Sequence, residues 1–479
     1  MKKEQKFKVF RLFSTLSGVE IKAFGRFLKC GYFTKDPQLI KFYDYLKRFT
    51  PEFDDVKLGK QVLSKKFFPK QEDASKKITN LMFHFSNQLE IFLLIKELEK
   101  DKQRKNVLQS VYLNRSLIKD FDLLLDQQIQ QLEAVPCKDV TDFEELLSLH
   151  YHKYYNLGLA STEMNVENLK RASINLDYFF ILNKLTLDSE ILSRGLMFPK
   201  EVDRISFNDL EKLSLFFEKD SNILIQLYTY IPKLYRLLEG DAAYFELKKI
   251  FLTNFEKISI DEQQKIHLHL VNFTMRRMND IPAFTEEAFE LYEFAITHKM
   301  LFDNNQITDN RFANIVNIAC AIEKLEWAEN FIETHYMHLA EKSRDNAKNV
   351  ALSLLRFHQK RYSSAIQYLI FVEFTDSIYA IRVKALEIRC YLELFLQKAS
   401  YYQVLTAKLD AFYRFAQRGR EMSDYKRKLC GNFVLIIRQI VKWKMNHSQQ
   451  KDKSALIKFV ENKNPYPAKK WIQEKIEEL

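Results

Sequence analysis

Along most of the chain apolar residues recur every three or four positions, the spacing of a single helix face. Ile78, Leu81, Met82, Phe85, Leu89, Phe92 and Leu93 form one such stripe. No run alternates apolar and polar residues over the length that a half-buried strand needs. The short apolar run Phe433-Val434-Leu435-Ile436-Ile437 is assigned to helix, because its surroundings offer no partner strand. The pattern predicts an all-α protein.

Helix boundaries are marked by side chains that can satisfy the free amides of a first turn. Ser17-x-x-Glu20, Thr141-x-x-Glu144 and Ser259-x-x-Glu262 fit the capping box. Asp36-Pro37 predicts another start, with Asp as N-cap and Pro where its missing N–H costs nothing, and Cys30-Gly31 closes the helix before it. Further breaks fall at Thr50-Pro51, Phe68-Pro69, Val135-Pro136, Phe198-Pro199, Glu239-Gly240, Ile281-Pro282, Asp303-Asn304-Asn305 and Asn464-Pro465-Tyr466-Pro467. They divide the chain into an N-terminal basic helical domain (1–135), a middle region of helix pairs (136–280), a repeat region (281–410) and a basic C-terminal helical cap (411–479).

Composition sharpens this picture. With only 9 Gly and 9 Pro in 479 residues, the chain has little material for turns, so the helices must be joined by short polar connections. Within the repeat region a small residue recurs early in the second helix of successive pairs: Ala288, Ala328, Ala365 and Ala399. Leu325, Tyr362 and Leu396 stand three positions before the last three of these. The segment Lys360-Arg361-Tyr362-Ser363-Ser364-Ala365-Ile366 resembles the turn into the second helix of a tetratricopeptide repeat. In that family the alanine lets paired helices approach and the aromatic packs across the turn. The departures are Ser353 or Val316 where the family has Gly, no Trp-x-x-Leu-Gly, and no repeat-ending prolines. The resemblance implies an irregular α-solenoid of antiparallel, TPR-like helix pairs behind the N-terminal helical domain; an ordinary helical bundle is the alternative. Leu16-Ser17-Gly18-Val19-Glu20, with Phe24, Phe27-Leu28 and Gly31-Tyr32-Phe33, resembles all-helical proteins of Bacteroidetes-type bacteria. That group implies a bacterial, cytoplasmic setting and brings no activity with it.

The net charge of +11 is unevenly placed. Residues 1–80 hold 19 Lys/Arg against 9 Asp/Glu, and residues 411–479 hold 16 against 7, so the stretch between them is net acidic. Basic ends attract nucleic acid, anionic lipid or an acidic protein; solvated helix faces account for the same lysines. Five widely spaced cysteines, Cys30, Cys137, Cys320, Cys390 and Cys430, without a Cys-x-x-Cys pair, read as small buried hydrophobes in a reducing compartment. Charge interrupts every apolar run near the start, and no run is long enough to cross a membrane, so a cytoplasmic location is expected.

The search for chemistry finds no catalytic, cofactor-binding or metal-binding set. His150/His152 and His267/His269 lie two apart, about 200° of rotation on a helix, so neither pair converges on one ion. His335 and His338 share a face, but no His follows a Glu by three positions. The nine glycines are isolated, which leaves no phosphate cradle, and no nucleophile elbow occurs.

The expected function is non-enzymatic: a protein–protein interaction scaffold, of unspecified pathway and oligomeric state, binding a peptide or helix in a concave groove. First-helix residues face that groove in the tetratricopeptide family, which implies Asn310, Asn314 and Asn317 on one repeat and Lys384 on another. The alternative is a nucleic-acid binder that uses the basic ends, with Lys442, Trp443, Lys444, Lys469, Lys470 and Trp471 as lysines interleaved with rings that could stack on bases. His150 to Tyr155 mixes aromatics and basic residues in the same way; because neighbouring side chains on a helix point apart, the bland reading is that these rings fill the core while the lysines face water. A third reading lays the amphipathic start, Lys2 to Leu16, on a membrane surface.

Overall fold

The computed structural model describes residues 7–50, 57–157, 166–197, 222–235, 240–278, 280–302, 305–373, 377–418, 424–445 and 453–479. Among them every regular element is a helix, and the β structure is an isolated bridge between Ile307 and Leu339. Two compact units form: Met1–Ala134 with Ser148–Ala172, and Val135–Leu147 with Ser173–Leu479.

The first unit contains α1 (Lys8–Ser14), α2 (Gly18–Lys29), α3 (Pro37–Leu46), α4 (Lys60–Phe67), α5 (Ala74–Leu98), α6 (Asp101–Asn114) and α7 (Ile118–Glu133). The capping box at Ser17 and Glu20 is present, and Asp36 caps α3 by accepting from the Gln38 amide, with Pro37 at the first position. Gly31, at φ +74°, takes the left-handed conformation that ends α2. The predicted stripe of α5 is buried from Ile78 to Phe92, and Phe85 at its centre meets Phe24 and Phe42 edge to face at 5.4 and 5.0 Å. Gly25 is needed for a close approach: a Cβ there would lie 2.5 Å from the hydroxyl of Tyr43, which donates to the Ile21 carbonyl.

The division between units falls inside α8 (Val140–His152) and α9 (Glu167–Met197). The second unit continues with α10 (Ile223–Tyr230), α11 (Gly240–Asn254), α12 (Ile260–Arg277), α13 (Phe284–Thr297), α14 (Asp309–Ala321), α15 (Leu325–His335), α16 (Arg344–His358) and α17 (Tyr362–Ile370). It ends with α18 (Ser377–Gln397), α19 (Tyr402–Arg418), α20 (Asp424–Met445), α21 (Lys453–Glu461) and α22 (Lys469–Glu478). From α12 to α21, helices linked by short connections pack on their sequence neighbours, and α14, α16 and α18 also pack one on the next. One apolar core runs through the whole unit. The run from Phe433 to Ile437 is helical, inside α20.

Two of the expected capping boxes are replaced. Asp139 caps α8 in place of Thr141, accepting from the amides of Thr141 and Asp142 while Asp142 accepts from the Asp139 amide. Ser259 precedes α12 without a side-chain cap, because Glu262 is turned into the core toward Tyr228. The alanine register holds at Ala288, Ala328 and Ala365, all fully buried, and fails at Ala399, which is exposed in a 3-10 turn before α19. Replacing Ala365 with Leu is expected to cost about 1–3 kcal/mol by overpacking α17 against α16. A urea midpoint equal to wild type would show that this crossing has room.

How a glycine-poor chain ends its helices is visible in the backbone. Ser116, Lys299, Glu323 and Lys360 have φ between +56° and +63°, the place usually held by glycine. In each case the next amide reaches back five residues, as Lys324 does to Ala319 and Arg361 to Arg356, both at 2.9 Å. A left-handed residue with a Cβ costs about 1 kcal/mol, and Lys360 is exposed. Lys360→Gly should therefore stabilise by roughly that amount, read as a rise in melting temperature. A fall would sink the account.

Candidate functional site

Of the residues singled out on α14, Asn310 is exposed, while Asn314 and Asn317 are half-buried. Asn314 hydrogen-bonds the hydroxyl of Tyr292, which burial pushes up to about 12 and on which the charges of Arg311 and Arg382 also act. Arg382, Arg389 and Glu393 fall on one side of α18, because steps of seven and four residues return to the same face. Lys384 points elsewhere, with its ammonium 5.4 Å from the Phe415 ring of α19. The structure therefore brings Asn314 together with Arg382 rather than with Lys384.

Farther along that side of α18 lies a buried cluster of charged groups. The Glu393 carboxylate is buried; its Oε1 accepts from the indole Nε1 of Trp471 at 2.7 Å and pairs with Lys475 Nζ at 3.1 Å. The Tyr362 hydroxyl also bonds Glu393, and its pKa is raised by burial and then by that carboxylate. Lys475 is itself buried; desolvation works against its charge, but hydrogen bonds to Glu478 and Glu393 outweigh this and raise its pKa. The Arg389 guanidinium lies 4.3 Å from the Phe357 ring and 4.9 Å from the Trp471 ring, and burial lowers its pKa to about 10. Two buried nitrogens here, Arg389 Nε and His358 Nε2, have no hydrogen-bond partner among the described residues. Burial, then the charges of Arg389 and Lys470, hold His358 down at about 3.

Nothing in the residue pattern pointed to this cluster. No motif marks Glu393 or Arg389, and the partners that α22 supplies, Trp471 and Lys475, stand some 80 residues later.

A second polar interior joins α10 to α12. Glu262 accepts from the Tyr228 hydroxyl at 2.6 Å and pairs with Lys265. His269 Nδ1 meets the Tyr235 hydroxyl at 3.0 Å, whereas His267 Nε2 meets the Leu291 carbonyl, so the two rings diverge. Burial lowers both histidines to about 4. His335 and His338 do share a face, with ring centroids 5.9 Å apart beside Phe302. Among the described residues no group of three or more His, Cys, Asp or Glu is placed to hold a metal ion. Cys137, Cys320, Cys390 and Cys430 are buried, and desolvation raises their thiols to about 11 or 12. Cys30 departs from the expectation and is exposed, because it sits at the end of α2.

At the basic ends lysines and rings separate. Lys442, Lys444 and Lys470 are exposed, Lys469 approaches Asp280 at 3.7 Å, Trp443 packs against the core, and Trp471 is buried on Glu393. The Trp471 indole is therefore not on the surface to stack a base, whereas Trp443 is half-buried. Between His150 and Tyr155, His150 is buried and Lys153 turns to Asp122 and Asp126, leaving Tyr151 and Tyr155 exposed with centroids 4.3 Å apart. The start from Lys2 lies partly outside the described residues; within it Val9, Phe10 and Phe13 are buried in the first unit's core. Among the described residues no helix is long and apolar enough to cross a membrane.

One apolar surface is open. Leu176, Phe180, Leu187 and Ile191 are exposed along one line of α9, opposite the buried Ile181, Leu182 and Leu185. Compared with known proteins, the chain matches no family model, no curated protein and no solved structure, so neither resemblance is shown as membership.

Proposed function

We propose that the protein is a non-enzymatic interaction scaffold whose helix pairs, from α12/α13 to α20/α21, form an irregular solenoid. Their first helices carry the recognition surface, and the ligand is a helix or peptide. The observation that supports this most is that the side of α18 carrying Glu393 and Arg389 already holds a helix, α22, through charged and aromatic side chains. In support, α14, α16 and α18 pack one on the next, and Asn314 bonds Tyr292, on which the charge of Arg382 from that side of α18 also acts.

The test is affinity purification of the tagged chain from its native host, with mass spectrometry and nuclease treatment. A protein partner that survives nuclease and is lost with Asn314→Arg is expected. Recovery that nuclease abolishes would overturn the reading in favour of the basic ends. The alternative is checked directly by titrating labelled single-stranded RNA at 50 and 200 mM salt. Binding no tighter than about 10⁻⁶ M at the higher salt is expected, since the Trp471 indole is buried and Trp443 packs half-buried against the core. Nanomolar, salt-sensitive binding lost on changing Lys442, Lys444 and Lys470 to Glu would reverse the ranking.

A further inference from the structure

We infer that α22 is a displaceable internal ligand, and that the surface beneath it binds a partner helix carrying a tryptophan and, four residues later, a lysine. This rests on the scaffold reading and names the partner class for one part of its surface.

The tenant defines the chemistry of the site. Ten residues do not form a stable helix in water alone, so α22 owes its order to what it lies on. Trp471 and Lys475, four apart, share one face and meet one acceptor, Glu393 Oε1. Ile472 and Ile476 beside them are fully or nearly fully buried, and the Trp471 ring covers Arg389. A helix without the indole N–H and the ammonium would leave the buried Glu393 with the Tyr362 hydroxyl but without the cation and N–H that α22 supplies, which is strongly unfavourable. The acid thus selects its ligand by residue type and spacing.

The same charges make release accessible. An apolar cap that opens exposes its whole area to water against the hydrophobic effect. Here opening also rehydrates Glu393, Arg389 and Lys475, whose desolvation weakens the closed state. Among the described residues the closed state gives Arg389 Nε and His358 Nε2, both buried, no hydrogen-bond partner. An incoming helix that places a carbonyl or carboxylate oxygen there would make hydrogen bonds that α22 does not make. Tethering through residues 462–468 keeps α22 at high effective concentration, so a partner must exceed it in contacts.

The test uses the full chain with a specific protease site inserted between Asn462 and Lys463, after α21. It is folded intact, cut, and titrated with a fluorescein-labelled peptide of residues 464–479. After cutting, the peptide is expected to exchange in at one per chain, and to bind at least about ten-fold less tightly when it carries Trp471→Phe or Lys475→Met. Uncut protein should take up little. A cut chain of unchanged helicity that keeps its own segment and incorporates no label over a day would overturn the inference, as would equal binding of the three peptides. If the insertion prevents folding, the uncut chain with Trp471→Phe is used, and its uptake of the unchanged peptide should exceed wild type by about ten-fold; equal uptake would again overturn it. A negative result here leaves the scaffold reading to be judged by the Asn314→Arg capture, which does not depend on α22.

Discussion

Lowering the pH from 7.5 to 5 is expected to remove about 6 kcal/mol of stability from the second unit, through three histidines buried in their neutral form. His267 and His269 are held down at about 4 and His358 at about 3, each chiefly by desolvation. Nearby charges act in both directions: Arg311 and Arg276 disfavour the protonated forms of His267 and His269, Glu190 favours that of His269, and Arg389 and Lys470 oppose that of His358. In the unfolded chain all three titrate near 6.5, so between that pH and the folded values the unfolded state binds more protons. Stability from this source is complete above about pH 6.5 and is lost as the pH falls toward 4 and then 3. At pH 5 each histidine accounts for about 2 kcal/mol. All three tryptophans, Trp327, Trp443 and Trp471, lie in this unit, so the urea midpoint of tryptophan fluorescence reports on it alone. A midpoint that does not move between pH 7.5 and 5 would refute the account, and His267→Gln should flatten the dependence by about a third.

What the residue pattern carried and what it missed follow from the range of the interactions involved. Helices were legible throughout, because three-and-four spacing is local, and the Ser17 and Asp36 caps were legible because each acts within three residues. Ser259 failed as a cap because Glu262, which should have reached back to it, is taken by Tyr228, 34 positions away. The fourth alanine failed because α19 starts later than the interval implied. The helix ends at Lys299 and Glu323 were illegible, since a lysine or glutamate in the left-handed region carries no signature in the sequence, and the turn at Lys360 was legible only through its resemblance to a tetratricopeptide turn. The candidate site was the least legible part. Asn314 and Lys384 share the expectation of a groove, yet Asn314 lies beside Tyr292 and Lys384 beside Phe415, and Trp471, named for the nucleic-acid alternative, is buried on Glu393. Charged residues on an amphipathic helix default to solvent, and only the fold brings Lys475 within reach of Glu393.

That encounter makes Glu393 the residue whose loss should be felt most. Glu393→Ala is expected to destabilise by about 3–5 kcal/mol, because it leaves Lys475, the Trp471 N–H and the Tyr362 hydroxyl without their shared acceptor, with Arg389 close by. Two of those groups carry positive charge in an interior where desolvation is incompletely offset. The cost therefore comes from stranded partners rather than from the pair's own net worth. If so, removing the charge from both sides should return much of the stability, since well-packed apolar residues often replace a buried ion pair at little cost. Glu393→Leu with Lys475→Leu should recover at least half of what Glu393→Ala loses, and a double-mutant cycle should give a coupling of about 1–3 kcal/mol. Tryptophan-detected urea unfolding at pH 7.5 measures both variants with the histidines neutral. A Glu393→Ala midpoint within error of wild type would mean that water reaches the carboxylate and its partners in solution, and that α22 is held by Ile472 and Ile476 alone.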